Sequence, residues 1–99
     1  MYQPVKAGDN VRIIQLLSLG YSPNQKFTEC EGGSPLHVAA IEGHVLTSHI
    51  LVQAGSELDN LDDEQNTPLM LACIHGQAEV VRYLLKVRRT ENIDSRHYS

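Results

Sequence analysis

The side chains suited to metal binding or to proton transfer near neutral pH are five histidines and two cysteines. Zinc chemistry would require them at ligand spacing, such as two histidines four apart around a glutamate, or cysteines in a Cys-x-x-Cys pair. His44 and His49 are five apart, which does not place them on one helical face, and neither motif accompanies them. A hydrolase would show a Gly-x-Ser-x-Gly elbow and a nucleotide enzyme a glycine-rich phosphate loop; the chain has neither. Its carboxylates fall in segments that read as exposed loops, where burial cannot retune them. The expectation is a non-catalytic protein with no cofactor and no metal. A small metal-dependent or hydrolytic enzyme is the alternative, which retained zinc or turnover would reveal.

The acidic residues are distributed more tellingly than the histidines. From Phe27 to Val81 there is no lysine or arginine, while Glu29, Glu31, Glu42, Glu57, Asp59, Asp62, Asp63 and Glu64 all lie in that stretch. A surface of one sign steers and favours a basic partner. The plainer alternative is that acidic loop tips keep the chain soluble. The net charge of -4 argues against direct nucleic-acid binding.

The elements that position these residues come in copies. Ser34-Pro35-Leu36-His37-Val38-Ala39-Ala40-Ile41-Glu42-Gly43-His44 is answered 33 positions later by Thr67-Pro68-Leu69-Met70-Leu71-Ala72-Cys73-Ile74-His75-Gly76-Gln77. Ser34 and Thr67 can cap a helix, Pro35 and Pro68 suit its first turn, and Gly43 and Gly76 suit its left-handed end. Second helices are expected over about Val45–Gln53 and Ala78–Lys86. Gly43 and Gly55 are 12 apart, and so are Gly8 and Gly20, which uncovers a third, degraded copy with its first helix over Met1–Ala7.

This pattern resembles the ankyrin repeat. The fold it implies is all-α: an ankyrin-repeat solenoid of about three helix-turn-helix units joined by projecting β-turn loops. The whole chain, 1–99, is expected to form one domain. It divides into an incomplete repeat over about 1–28, repeats over about 29–61 and 62–94, and a polar tail at 95–99. The loop from Gly20 to Ser34 spans 14 residues against 12 from Gly55 to Thr67, so two extra residues are expected at its tip. Leu46, Ile50 and Leu51 are expected as one core stripe, and Val80, Val81, Leu84 and Leu85 as another. Cys73 takes the place of Ala40 and is expected to be buried.

The basic residues Arg82, Lys86, Arg88, Arg89 and Arg96 cluster late, with Arg88 where a glycine would stand. Asp94–Ser99 reads as the start of a further loop. On repeat phase, the chain is expected to be a piece of a longer array, with a natural three-repeat protein and polar cap as the alternative. The longest apolar run, Leu69–Ile74, is far short of a membrane span, and no signal-peptide pattern opens the chain. Two cysteines are too few for a disulfide framework. An intracellular protein, cytoplasmic or nuclear, is expected, as a monomer or part of a longer chain.

The ankyrin resemblance implies a protein–protein interaction module that binds through loop tips and first helices on a concave face. Glu29, Glu31, Glu42, Asp62, Asp63 and Glu64 would turn toward that groove. The positions at which such arrays vary for recognition correspond to Glu31, Gly33, Ile41, Glu42, Asp63, Glu64, Asn66, Ile74 and His75. His37 would brace adjacent loops by hydrogen bonds.

Tyr2–Asp9, Leu19–Asn24, Ser34–Ala40, Gly43-His44-Val45, Leu51–Gly55 and Asp63–Met70 further resemble the entry to the ankyrin region of the euchromatic histone lysine methyltransferases. That resemblance implies the leading part of a chromatin-targeting array, with a basic segment such as a histone tail as partner. The family reads methyl-lysine with an aromatic cage that includes tryptophan. This chain has no Trp and one Phe, so that role is not carried onto any residue here.

Overall fold

The computed structural model describes the backbone of residues 1–97 and the side chains of residues 1–89. Among the described residues six α-helices follow in pairs: α1 (Tyr2–Ala7) with α2 (Asn10–Ser18), α3 (Pro35–Glu42) with α4 (Val45–Gln53), and α5 (Pro68–Ile74) with α6 (Ala78–His97). Helices α1, α3 and α5 pack side by side as an inner layer, and α2, α4 and α6 as an outer one.

Local chemistry sets where each helix starts and stops. Thr67 Oγ1 accepts from the Met70 N–H at 3.2 Å, and Asp9 Oδ1 from the Arg12 N–H at 3.3 Å, each satisfying a free donor of a first turn. Gly8 and Gly43 close α1 and α3 with φ of 72° and 78°, a left-handed turn that would strain any other side chain.

The core runs through the inner layer. Val5, Leu36, Val38, Ala39, Ala40 and Ala72 are buried there, joined by Ile13, Leu51, Val80 and Leu84 from the outer helices. The small alanines of α3 let α1 and α5 approach it from both sides.

Several expectations need correction. Leu46 is 60% and Leu85 45% exposed, so neither belongs to a core stripe. Outer helices touch neighbours on the inner side and flanks only, and these two residues point away from both. Cys73 is exposed, unlike Ala40, because Ala40 lies under α5 whereas no described helix covers Cys73. Helix α6 does not stop near Lys86 but continues to His97. Arg88 replaces the turn glycine and no proline or glycine follows, so nothing in that segment breaks the helix. Asp94–His97 are therefore helical rather than the start of a loop, while Tyr98 and Ser99 lie outside the described residues. The Arg96 side chain of the basic cluster also lies outside them.

The connecting loops stack on one another. Phe27 and Gly33 form an isolated antiparallel bridge around a short 3-10 turn, Thr28–Cys30. In the next loop the Asp62 N–H donates to the Asn66 carbonyl at 3.1 Å. Residues 28–32 lie between the first pair and 63–65 between the second, so the longer loop carries its two extra residues at the tip. The Asp63 N–H donates to the Glu31 carbonyl at 2.9 Å, and Lys26 Nζ donates to the Leu61 carbonyl at 2.6 Å, tying one loop to the other.

Candidate protein-binding face

His37 fixes the spacing of the two loops. Its Nδ1 accepts from the Ser34 N–H at 3.0 Å, and its Nε2 lies 2.7 Å from the Asn66 carbonyl oxygen. A carbonyl only accepts, so Nε2 carries the proton and the ring is neutral. Burial pushes the His37 pKa down, and the Asn66 carbonyl opposes that shift. The next loop thus stands at a set distance from α3, as the resemblance implied for this residue.

Between the loop tips and the inner helices lies a cavity of about 370 Å³. Helix α1 contributes Tyr2 and Lys6, the first loop Glu29, Cys30 and Glu31, and α3 Val38, Ile41 and Glu42. The second loop adds Asp62 and Glu64, and α5 adds Leu71 and His75. Five carboxylates thus face one cation, Lys6, whose Nζ sits 5.9 Å from the centre of the Tyr2 ring. Glu31 and Glu64 are close enough for their carboxyl groups to hydrogen-bond. That bond, followed by the Glu31 charge, raises the Glu64 pKa above its usual value. Cys30 is half-buried, and burial followed by the Asp62 charge pushes its thiol pKa up, which disfavours the reactive thiolate.

Of the residues singled out by sequence, Glu31, Ile41, Glu42, Glu64 and His75 line this cavity, and Gly33, Asp63, Asn66 and Ile74 do not. Gly33 is buried, and a Cβ there would lie 3.0 Å from the Cys30 carbonyl oxygen. Asn66 spends its carbonyl on His37. Asp63 stands exposed at the loop tip, with its carboxylate against Gly32. Ile74 is exposed beyond the cavity rim. Asp62 lines the cavity yet is mostly buried: its Oδ1 accepts from the N–H groups of Glu64 at 2.9 Å and Asn66 at 2.8 Å, which folds the loop. Tyr2, Lys6, Cys30, Val38 and Leu71 went unmarked in the sequence. The 35-residue spacing of Gly8 and Gly43 places Lys6 level with Ile41, which is the signal that finds it.

Among the described residues no cluster of three potential metal ligands occurs, and no helix is long and apolar enough to cross a membrane. Helical pairs stacked in register beneath projecting loops define a solenoid whose binding surface is built from several units at once. A family model of ankyrin repeats in three copies matches residues 2–97, and the chain belongs to the ankyrin-repeat family. The ankyrin repeat is a non-catalytic fold that generally binds other proteins.

Its relatives are diverse. The potassium channel GORK of Arabidopsis thaliana is 34% identical over 88 residues, covering 89% of this chain and 10% of the channel. The histone-lysine N-methyltransferase EHMT1 of Mus musculus is 38% identical over 65 residues, covering 66% of this chain and 5% of the enzyme. A probable E3 ubiquitin-protein ligase of Oryza sativa, XBOS33, is 40% identical over 83 residues, covering 82% of this chain and 16% of the ligase. The chain thus spans a small part of each relative's length.

Proposed function

We propose that the chain is a non-catalytic, intracellular interaction module that binds a basic segment of another protein in the cavity between its loop tips and inner helices. The carrying observation is the set of Glu29, Glu31, Glu42, Asp62 and Glu64 around one cavity, opposed by Lys6 alone. Val38, Ile41 and Leu71 supply apolar surface for the stems of lysine or arginine side chains, whose charged ends then meet the carboxylates. Glu31, Glu42, Glu64, His75 and Ile41 make these contacts, with Asp63 at the rim. Gly33 and Asn66 shape the loops, and Ile74 extends the surface outward. The partner is protein rather than nucleic acid or membrane, and the module acts as a monomer or within a longer chain.

The test is titration of an Arg/Lys-rich peptide against the chain at two salt concentrations. Binding should weaken as salt rises, and alanine at Glu31, Glu42 and Glu64 together should weaken it at least tenfold. Unchanged affinity and salt dependence in that triple variant would refute the reading.

The similarity to EHMT1 favours a second, narrower reading, in which the module is the leading part of a chromatin methyltransferase's ankyrin region and the basic segment is a histone tail. A histone H3 tail peptide should then bind more tightly than a scrambled peptide of equal charge. Equal binding of the two would remove this reading and leave the broader one standing.

A further inference from the structure

Lys6 breaks the pattern of the surface that a bound segment would cross. It stands two residues before Gly8, as Ile41 stands before Gly43 and Ile74 before Gly76, so the series across α1, α3 and α5 reads Lys, Ile, Ile. Its backbone is held by the neighbouring pair. His44 Nε2 donates to the Lys6 carbonyl at 2.9 Å, and Gln77 Nε2 donates likewise to the Ile41 carbonyl at 2.8 Å. The Gln77 amide lies against Gly43, where a Cβ would come within 2.5 Å of its Oε1. Tyr2, one turn before Lys6, packs edge-on against Phe27 with ring centres 5.4 Å apart, and Lys6 Nζ lies over the Tyr2 ring at 5.9 Å. The ammonium is therefore placed at the α1 end of the cavity by contacts that involve no carboxylate.

Among the described residues no carboxylate comes within ion-pair distance of Lys6. Its charge is nevertheless felt inside the cavity. Beyond the effect of burial, Asp62, Glu31 and Glu42 push the Cys30 thiol pKa up, and Lys6 pulls it down. The cavity is thus polarised along its length, positive at α1 and negative from the first loop to the second. A segment lying across all three inner helices takes water away from the Lys6 ammonium. A cation of that segment would meet a like charge there, and a neutral residue would leave the ammonium without a counter-charge. An anion avoids both costs, and a carboxylate side chain is the anion that an unmodified peptide supplies. Packed helices stand about 10 Å apart, so Glu42 on α3 is about three residues of extended chain from Lys6, and His75 on α5 about six.

We propose that Lys6 is the specificity-determining residue of the cavity, and that it selects a segment of mixed charge: an Asp or Glu at the α1 end, paired with Lys6, and Lys or Arg from about three residues further on, over Glu31, Glu42 and Glu64. This deepens the reading of the cavity as a site for a basic segment and rests on it. Lys6 admits such a segment in one orientation and rejects a uniformly basic one by like-charge contact.

The probes are three peptides with acetylated and amidated ends and the same run of Lys and Arg. One carries Glu about three residues before the run and Gln as far after it, the second has these two exchanged, and the third has Gln at both places. At low salt one of the two Glu peptides should bind the full chain about fivefold more tightly than the Gln peptide, despite its smaller positive charge. Lys6→Gln changes an exposed side chain and keeps the backbone contact with His44. It should abolish that preference and at the same time strengthen binding of the Gln peptide. Equal or weaker binding of both Glu peptides would overturn the proposal, as would a Lys6→Gln effect that is the same factor for all three. The triple alanine variant at Glu31, Glu42 and Glu64 separates the two levels. If it binds every peptide as the parent does, the reading of the cavity fails and this inference with it; if it loses them all while Lys6→Gln treats them alike, only the role of Lys6 fails.

Discussion

Glu31 and Glu64 hold the same place in consecutive loops, 33 positions apart, and their carboxyl groups are close enough to hydrogen-bond when one is protonated. In-register stacking brings like charges together here, and a shared proton is the way the pair reduces its repulsion. Glu64 therefore holds its proton more tightly in the folded chain than in the unfolded one. The stability this adds is fully present below the usual glutamate value of 4.5 and is lost as pH rises through the raised value. Glu64→Gln keeps a donor for Glu31 and removes the second charge. Its melting temperature should exceed that of the parent at neutral pH, with a flatter pH dependence just above 4.5, as thermal melts across that range would read. Binding of a basic peptide by the parent should strengthen over the same rise in pH, since both carboxylates are then charged.

His37 carries the opposite sign. Its pKa is lowered, so the unfolded chain takes up the proton first, and stability present above the usual histidine value of 6.5 is lost as pH falls toward the lowered one. His37→Ala leaves the Ser34 N–H without its ring partner and the Asn66 carbonyl with the Asp62 N–H alone. We expect a loss of about 2–4 kcal/mol by urea unfolding, together with loss of the pH dependence below 6.5.

The fit of Gln77 over Gly43 sets up a double-mutant cycle. Gln77→Ala removes one hydrogen bond and should cost about 1 kcal/mol. Gly43→Ala combines a left-handed backbone with a methyl pressed on the Gln77 amide, and should cost about 1–3 kcal/mol. In the double variant the clash is gone, so the combined loss should fall short of the sum. Additive losses in denaturant melts would mean that the two residues do not meet.

Gln65 adopts φ 67° at the position where the preceding loop has Gly32, at φ 76°. A side chain in that region is strained and a glycine is not, so Gln65→Gly should stabilise the chain by about 1 kcal/mol, measured in urea.

The helix starts were legible because proline after serine or threonine acts within one turn, and Val45–Gln53 appears with the bounds its flanking glycines imply. The binding role of the fold was legible from the same repeat. Exposure in the outer layer was not. Leu46 and Leu85 sit at helical spacing from the partly buried Ile50 and Val81, yet burial there depends on which flank has a neighbour, and periodicity does not say. Cys73 was misjudged because the repeat pattern gives its place the burial of Ala40, whereas no described helix covers it. Tyr2 and Lys6 of the cavity lining went unmarked because α1 is short and shares no Ser/Thr-Pro-Leu opening with its neighbours, and Cys30, Val38 and Leu71 because the repeat pattern does not separate a lining residue from a core or loop one. Glu29 and Asp62, read from the sequence as groove-facing, also line the cavity, and the structure gives Asp62 a loop-folding role as well.

Among the described residues, the pair α3–α4 is flanked on both sides, and α1–α2 and α5–α6 on one side each. Either outer pair can therefore peel away while the other two stay docked, and the chain should open from its ends inward like a short stack of plates. Deuterium should then enter the amides of α2 and the early turns of α6 well before those of α3. The acidic cavity, which draws on α1 and α5 at once, exists only while both outer pairs are seated. Any partner gripping that cavity would clamp the two ends together and slow exchange at both, far from the atoms it touches.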